Sequence, residues 1–354
     1  MTFNGSNRRK KEVDIDNSTL GFLTVLLAIL LALVIATVTY YIIVKTTSPY
    51  FLNSSHENDK NDSSYPFKQD VSLSIALPDD DTVAIKGVNS GFAALVDLTD
   101  GKIEASKMSS SILYPASMTK VMTLIVVCEN LESEASLDEV LEIKYPKGEH
   151  SGYGFAMGEK LTVRDLIYAS ILQSDGVACL TLADYIAGSE AAFVKMMNDK
   201  VKEMGLLDGD SASNPSTMFQ NCTGMHDQYH YTTAYDIAYI MAYAMKNDFC
   251  ANVLTTLKYT PSEHFRPGQG CVFWHNLIHE YLADGNSQPS NAKITGGKTG
   301  WTGNDSGNCI VAYARGNDGH EYVVVVAKAL KSDTATGKEN AKSDLFYICE
   351  TYIK

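Results

Sequence analysis

Two β-hairpin signatures lie far apart in the chain, and a long helical stretch separates them. In GFAALVDLTDGKIEASKM (Gly91–Met108) apolar and polar residues alternate on either side of Asp100-Gly101. That period of two puts successive side chains on opposite faces of a strand, and Asp-Gly suits a tight turn. NCIVAYARGNDGHEYVVVVAKAL (Asn308–Leu330) repeats the pattern around Asn317-Asp318-Gly319. Between them Met118–Leu131, Val163–Gln173, Val177–Ile186, Glu190–Met204 and Thr233–Lys246 carry apolar residues at helical spacing, and a last helix is expected over Lys338–Ile353. Strands at both ends with helices between them predict one sheet built from distant segments and flanked by helices, an α/β (α+β) arrangement. No internal repeat is evident.

Composition narrows the function. Hydrophobic residues make up 45% and charged residues 20%, values of a globular chain long enough to bury a full core. A net charge of −13 lacks the basic footprint of a nucleic-acid binder, so no nucleic-acid partner is expected. It also argues against charge-driven capture of anionic polymers, which leaves recognition to local chemistry in a cleft. Seven cysteines contain no Cys-x-x-Cys pair, and Cys128, Cys179 and Cys309 sit in apolar runs as small hydrophobes.

The N-terminal region reads differently. Leu20–Val44 is apolar and uncharged, long enough for the roughly 20 residues that cross a bilayer core. Arg8, Arg9, Lys10 and Lys11 precede it and only Lys45 follows. The positive-inside rule then places residues 1–19 in the cytoplasm, residues 20–44 across the membrane and the rest outside. A cleaved signal peptide has a shorter apolar run, about 7–15 residues, so a retained anchor is expected. The Ser-, Asn- and Asp-rich segment over residues 45–75 reads as a flexible linker, and residues 76–354 as the folded domain it carries.

Ser117-Met-Thr-Lys120 opens an apolar helical run after Tyr114-Pro115-Ala116. Residues three apart on a helix share a face, so hydroxyl and amine can meet. A serine hydroxyl is a poor nucleophile until a base removes its proton. A lysine can be that base when burial and a second cation hold its amine neutral. By itself such a spacing describes an ordinary helix start. Ser174-Asp175-Gly176 can supply a proton relay or simply a helix-breaking turn. Lys298-Thr299-Gly300, followed by Trp301, sits in a Gly-rich stretch where a substrate backbone can lie against an edge strand.

Three blocks occur in order: YPASMTKVMT (Tyr114–Thr123), TGMHDQYHYTTAYDIAYIMAYAMKN (Thr223–Asn247) and GGKTGWTG (Gly296–Gly303). Together they resemble the D-alanyl-D-alanine carboxypeptidases, low-molecular-mass penicillin-binding proteins in the clan of the serine β-lactamases. The resemblance runs from about Ser90 to Leu330. It implies a penicillin-binding-protein-like transpeptidase fold, an antiparallel sheet flanked by helices with a helical subdomain. It implies Ser117 as acylated nucleophile, Lys120 as base and Ser174 as relay. Lys298 and Thr299 would anchor the substrate carboxylate, with Gly300 and Trp301 lining its path and the N–H groups of Ser117 and Trp301 forming an oxyanion hole. The implied partners are peptidoglycan stem peptides, with β-lactams as covalent inhibitors, and no cofactor.

Two features depart from that family. Its middle motif is commonly Ser-x-Asn, and Gly176 stands at the Asn position; the lost amide weakens activity or changes substrate choice unless Asp175 or a water replaces it. Many relatives also carry a C-terminal β-rich domain and a membrane helix, whereas this chain stops soon after its second hairpin and is expected to be anchored at its N-terminus. A class A-like β-lactamase and a catalytically weak muropeptide or β-lactam sensor are the alternatives, and no Glu-x-x-Leu-Asn segment supplies a deacylating glutamate for the former. Endopeptidases and transpeptidases would use the same residues. The pairs His226/His230 and His275/His279 have four-residue spacing but lack the Glu of a zinc-peptidase helix, so no metal is expected.

Overall fold

A computed structural model describes residues 73–146, 148, 152–206, 217–303, 305–329 and 334–354. The expected cytoplasmic tail and membrane span, and nearly all of the linker, lie outside these residues. Among the described residues no single helix is long and apolar enough to cross a membrane.

The two predicted hairpins form and join each other. Strands β2 (Ser90–Asp97) and β3 (Lys102–Lys107) make the first, and β9 (Asn308–Gly316) and β10 (Glu321–Ala329) the second. Strand β10 pairs antiparallel with β2, Val324 facing Leu95 and Val325 facing Ala94, so the two ends of the domain meet in the middle of one sheet. Its order is β1-β3-β2-β10-β9-β8, with β1 (Val83–Ala84) parallel to β3 at one edge and β8 (Ala292–Gly300) antiparallel to β9 at the other. Among the described residues strand β8 is therefore an edge, paired on one side only, and it carries Lys298-Thr299-Gly300.

Alternation along β10 explains why its Val323–Val326 run is apolar throughout. Val323 and Val325 pack into the larger core with the central helices, and Val324 and Val326 into the opposite core. The second core is closed by the C-terminal helix, which runs over Thr334–Tyr352 and contributes Ala341, Leu345 and Ile348. On the other face lie α1 (Lys120–Glu129), α2 (Val163–Leu172), α3 (Gly176–Ala187), α4 (Glu190–Glu203), α5 (Ala234–Met245) and α6 (Asp248–Thr255); the C-terminal helix is α7.

Helix starts follow capping chemistry. The Thr162 and Asp165 side chains form a reciprocal capping box at α2, and Asp175 caps α3 by accepting from Ala178 N–H at 2.8 Å. Two small antiparallel pairs, β4 (Val140–Glu142) with β5 (Lys160–Thr162) and β6 (Lys258–Tyr259) with β7 (Phe273–Trp274), were not readable from the sequence. None of the seven cysteines is bonded to another, and all but Cys271 are buried.

Candidate active site

The predicted helix at Met118–Leu131 begins differently from its sequence pattern. Ala116–Thr119 forms a 3-10 turn behind Pro115, and the α-helical hydrogen bonding starts at Lys120. Ala116 holds φ at +47°, a left-handed conformation that a residue with a side chain adopts only under constraint. The tighter turn still brings the pair together. The Lys120 amine donates to Ser117 Oγ at 2.9 Å and to the Thr223 carbonyl at 2.6 Å.

Both side chains are enclosed, with Lys120 only 1% exposed and Ser117 8%. Burial pushes the Lys120 amine below the usual lysine range, against the opposing influence of Cys179, Cys222 and Asp175. A second enclosed amine lies close by. Lys298, also 1% exposed, donates to Ser174 Oγ at 2.9 Å and to the Thr299 carbonyl at 2.8 Å. Burial, with the charge of Lys120 added to it, holds Lys298 well below its ordinary value.

The sequence-predicted residues thus assemble as two hydroxyl–amine pairs, Ser117 with Lys120 and Ser174 with Lys298. Ser174 also has positive φ, +55°, in the turn between α2 and α3. Gly300 carries the edge strand against the nucleophile turn. A Cβ there would stand 3.0 Å from the Pro115 carbonyl and 3.1 Å from Ser117 N, so a side chain would push strand and turn apart. Trp301 follows at the rim, half exposed.

Asp175 does not stand in for the missing asparagine. One of its oxygens caps α3 and the other accepts from Tyr153 N–H at 2.8 Å, holding the 152–155 segment over the turn. Burial raises its carboxyl. Each described histidine of the two spaced pairs has partners of its own. His230 sits in the extended segment after the 226–229 loop, its Nε2 2.7 Å from Thr119 Oγ1 and its Nδ1 accepting from Gln220 N–H at 3.0 Å. His275 precedes the short π-helical turn Asn276–Tyr281 and bonds the Leu254 carbonyl, whereas His279 pairs with Asp284.

Sequence reasoning missed the 221–225 loop. It delivers the Thr223 carbonyl to Lys120, a role that any residue type could fill. The signal present was Asn221 three residues before Gly224, a spacing common in side-chain-stabilised turns.

The pattern of the peptidase S11 family, D-alanyl-D-alanine carboxypeptidase, matches residues 79–330. The chain belongs to this family. It is 29% identical over 240 residues to D-alanyl-D-alanine carboxypeptidase DacF of Bacillus subtilis (strain 168), covering 66% of this chain and 56% of that protein. The chain therefore spans little more than half the length of that relative. Penicillin binding protein 5 from Haemophilus influenzae superposes with a TM-score of 0.60 at 23% identity, over 75% of this chain and 72% of that one. Penicillin-Binding Protein D2 from Listeria monocytogenes, in a cefotaxime-bound form, gives 0.59 at 19% identity over 75% and 98%. These likenesses show that the mixed α/β fold is that of penicillin-binding proteins. In this fold Ser117 with Lys120 and Ser174 with Lys298 form two buried pairs, close enough for the charge of Lys120 to act on Lys298.

Proposed function

We propose that the protein is a membrane-anchored serine D-Ala-D-Ala carboxypeptidase that removes the terminal D-alanine from peptidoglycan stem peptides. The observation that carries this reading is the 2.9 Å contact between a buried lysine amine and the Ser117 hydroxyl, beside a second buried amine on an open edge strand. The peptide lies along β8, and its terminal carboxylate is held by Lys298 and the Thr299 hydroxyl. That carboxylate favours a charged Lys298, and a charged neighbour keeps Lys120 neutral.

Ser117 Oγ then attacks the carbonyl between the two D-alanines while Lys120 takes its proton. The N–H groups of Ser117 and Trp301 receive the oxyanion. Lys120 gives up that proton through Ser174 to the nitrogen of the leaving D-alanine as the C–N bond breaks, and is neutral again for the second half of the reaction. Water, its proton taken by Lys120, next attacks the Ser117 ester and frees the shortened peptide. β-Lactams, which present a strained amide and a carboxylate in the same positions, acylate Ser117 and remain. Support for the β-lactam reading comes from the cefotaxime-bound relative of the same fold. The N-terminal apolar segment and its basic flank put the catalytic domain outside the cell on a flexible linker.

The deciding experiment measures D-alanine release from diacyl-L-Lys-D-Ala-D-Ala by the full chain in detergent, beside a Ser117→Ala control. Release that disappears in the control is expected. A folded protein that forms a stable penicillin adduct without releasing D-alanine would replace the reading with a sensor, which the loss of an Asn at Gly176 favours. Rapid, repeated penicillin hydrolysis would replace it with a β-lactamase. Protease protection of residues 1–19 in sealed inside-out vesicles would overturn the membrane orientation.

A further inference from the structure

The Lys120 amine has two partners, and only one of them is a reacting group. The other is the Thr223 carbonyl, 2.6 Å away. A carbonyl only accepts, so it fixes the direction of one N–H; when the amine is neutral, its lone pair can then replace the N–H that it directs at Ser117 Oγ. A lysine stem has four rotatable bonds, and without such a fixed acceptor its amine is not held in line for proton abstraction. What holds the Thr223 carbonyl in place is therefore part of how the base is aimed.

We infer that Asn221 is the positioning residue for the Lys120–Ser117 pair, acting by curling the 221–225 backbone around its side-chain amide. This inference rests on the acyl-transfer reading above. Asn221 Oδ1 accepts from Gly224 N–H at 2.7 Å, Thr223 Oγ1–H at 3.0 Å, Met225 N–H at 3.1 Å and Thr223 N–H at 3.2 Å. Its Nδ2 donates to the Met225 carbonyl at 2.9 Å. One amide thus closes both ends of the loop.

The curled loop has two contacts with the nucleophile turn. One is the Thr223 carbonyl on Lys120. The other is Gly224, whose φ is +82° and whose Cα lies against the Ala116–Ser117 peptide. A Cβ there would fall 2.0 Å from the Ala116 carbonyl and 2.9 Å from Ser117 N. The loop is tied from outside at Cys222, whose N–H donates to Glu190 Oε1 at 3.1 Å and whose carbonyl accepts from Thr123 Oγ1 at 2.7 Å. Those outer ties locate Cys222, but they leave the direction of the next carbonyl to the Asn221 curl. Those Asn221 side-chain hydrogen bonds all go to residues 223–225 and none to Ser117, so its effect passes through Lys120.

The test uses the full chain and a fluorescent penicillin, read as both the number of acylated sites and the acylation rate per site. Asn221→Ala is expected to label a full complement of sites, with a per-site rate lower by about 10²-fold, the cost of displacing a reacting group by roughly 1 Å. Peptide turnover should lose kcat and keep KM. Asn221→Asp keeps an oxygen for the same four donors, but it sets a carboxylate oxygen against the Met225 carbonyl and adds a negative charge to the loop, so its rate should lie between the two. Asn291→Ala, which removes bonds to the carbonyls of Glu350 and Ile353 outside the site, is the control for a merely structural change. It should lower Tm and leave the per-site rate alone.

An Asn221→Ala protein with fewer sites but the wild-type rate at each would overturn the inference. If the alanine variant does not fold, wild-type speed in Asn221→Asp does the same. Failure of the wild-type chain to acylate on Ser117 would instead overturn the acyl-transfer reading, and the inference with it.

Discussion

Replacing His230 with glutamine should flatten the loss of stability on mild acidification. The imidazole is 2% exposed, and burial pushes it down to about 4 from an ordinary value of 6.5. Asp227 opposes that shift, while His226 and Lys120 add to it. Gln220 N–H donates to Nδ1, so the ring proton resides on Nε2 and is given to Thr119 Oγ1 in the nucleophile turn. Protonation would set a second N–H against that of Gln220.

The group is neutral in both folded and unfolded chains above the unfolded value, so it has no effect on stability there. As pH falls from 6.5 toward 4 the unfolded chain takes up the proton and the folded chain does not, so stability falls. Between about pH 7.5 and about pH 5 that difference amounts to about 2 kcal/mol for this one residue. His275, buried and likewise held near 4, contributes a similar loss that is common to wild type and variant. Urea midpoints measured across that range should therefore show a loss smaller by about 2 kcal/mol in His230→Gln than in wild type. The variant starts less stable at neutral pH, and only the difference in slope matters. Parallel curves for the two proteins would refute the neutral, buried assignment.

Two other expectations test separate parts of the structure. In wild type, capping the terminal carboxylate of the peptide as an amide should cut kcat/KM by about 10²–10³-fold, the scale of one lost electrostatic contact; Lys298→Ala should show the same cut with the acid substrate and little further discrimination, and persistent discrimination would remove Lys298 from carboxylate recognition. Asp165→Ala should lower stability by about 3 kcal/mol, seen as a lower Tm, with the penicillin acylation rate per site unchanged. Its fully buried carboxylate accepts from Thr162 N, Tyr259 Oη, Ser262 N and Ser262 Oγ, tying the β6–β7 region to the start of α2.

Legibility varied with the range of the interaction. The hairpin turns at Asp100-Gly101 and Asn317-Asp318-Gly319 and the central helices followed from local period and turn chemistry, with boundaries shifted by a few residues. Ser117 and Lys120 were readable as a pair because three residues of helical or 3-10 backbone bring side chains together whatever surrounds them. Ser174 and Lys298 were readable only as separate candidates, a relay and a carboxylate anchor; their contact was not, since nothing local links an α2–α3 turn to an edge strand. The sequence left Asp175 free to replace an amide at Gly176; the structure uses both of its oxygens on backbone N–H groups. The role of Thr223 went unseen because a backbone carbonyl carries no residue signature, and that of Asn221 because its spacing to Gly224 marks a turn without saying what the turn faces.

The sequence by itself determined the two long hairpins and most of the central helices, which serine has a lysine within reach, and where the Lys-Thr-Gly triplet falls. Those are matters of spacing along the backbone. Only the tertiary structure decided that β2 and β10 join the two hairpins, and that both lysines lose water and are thereby pushed toward neutrality. It also decided that the 221–225 loop aims one of them. Desolvation and the direction of a carbonyl depend on what surrounds a group, and here those surroundings come from segments far apart in the chain.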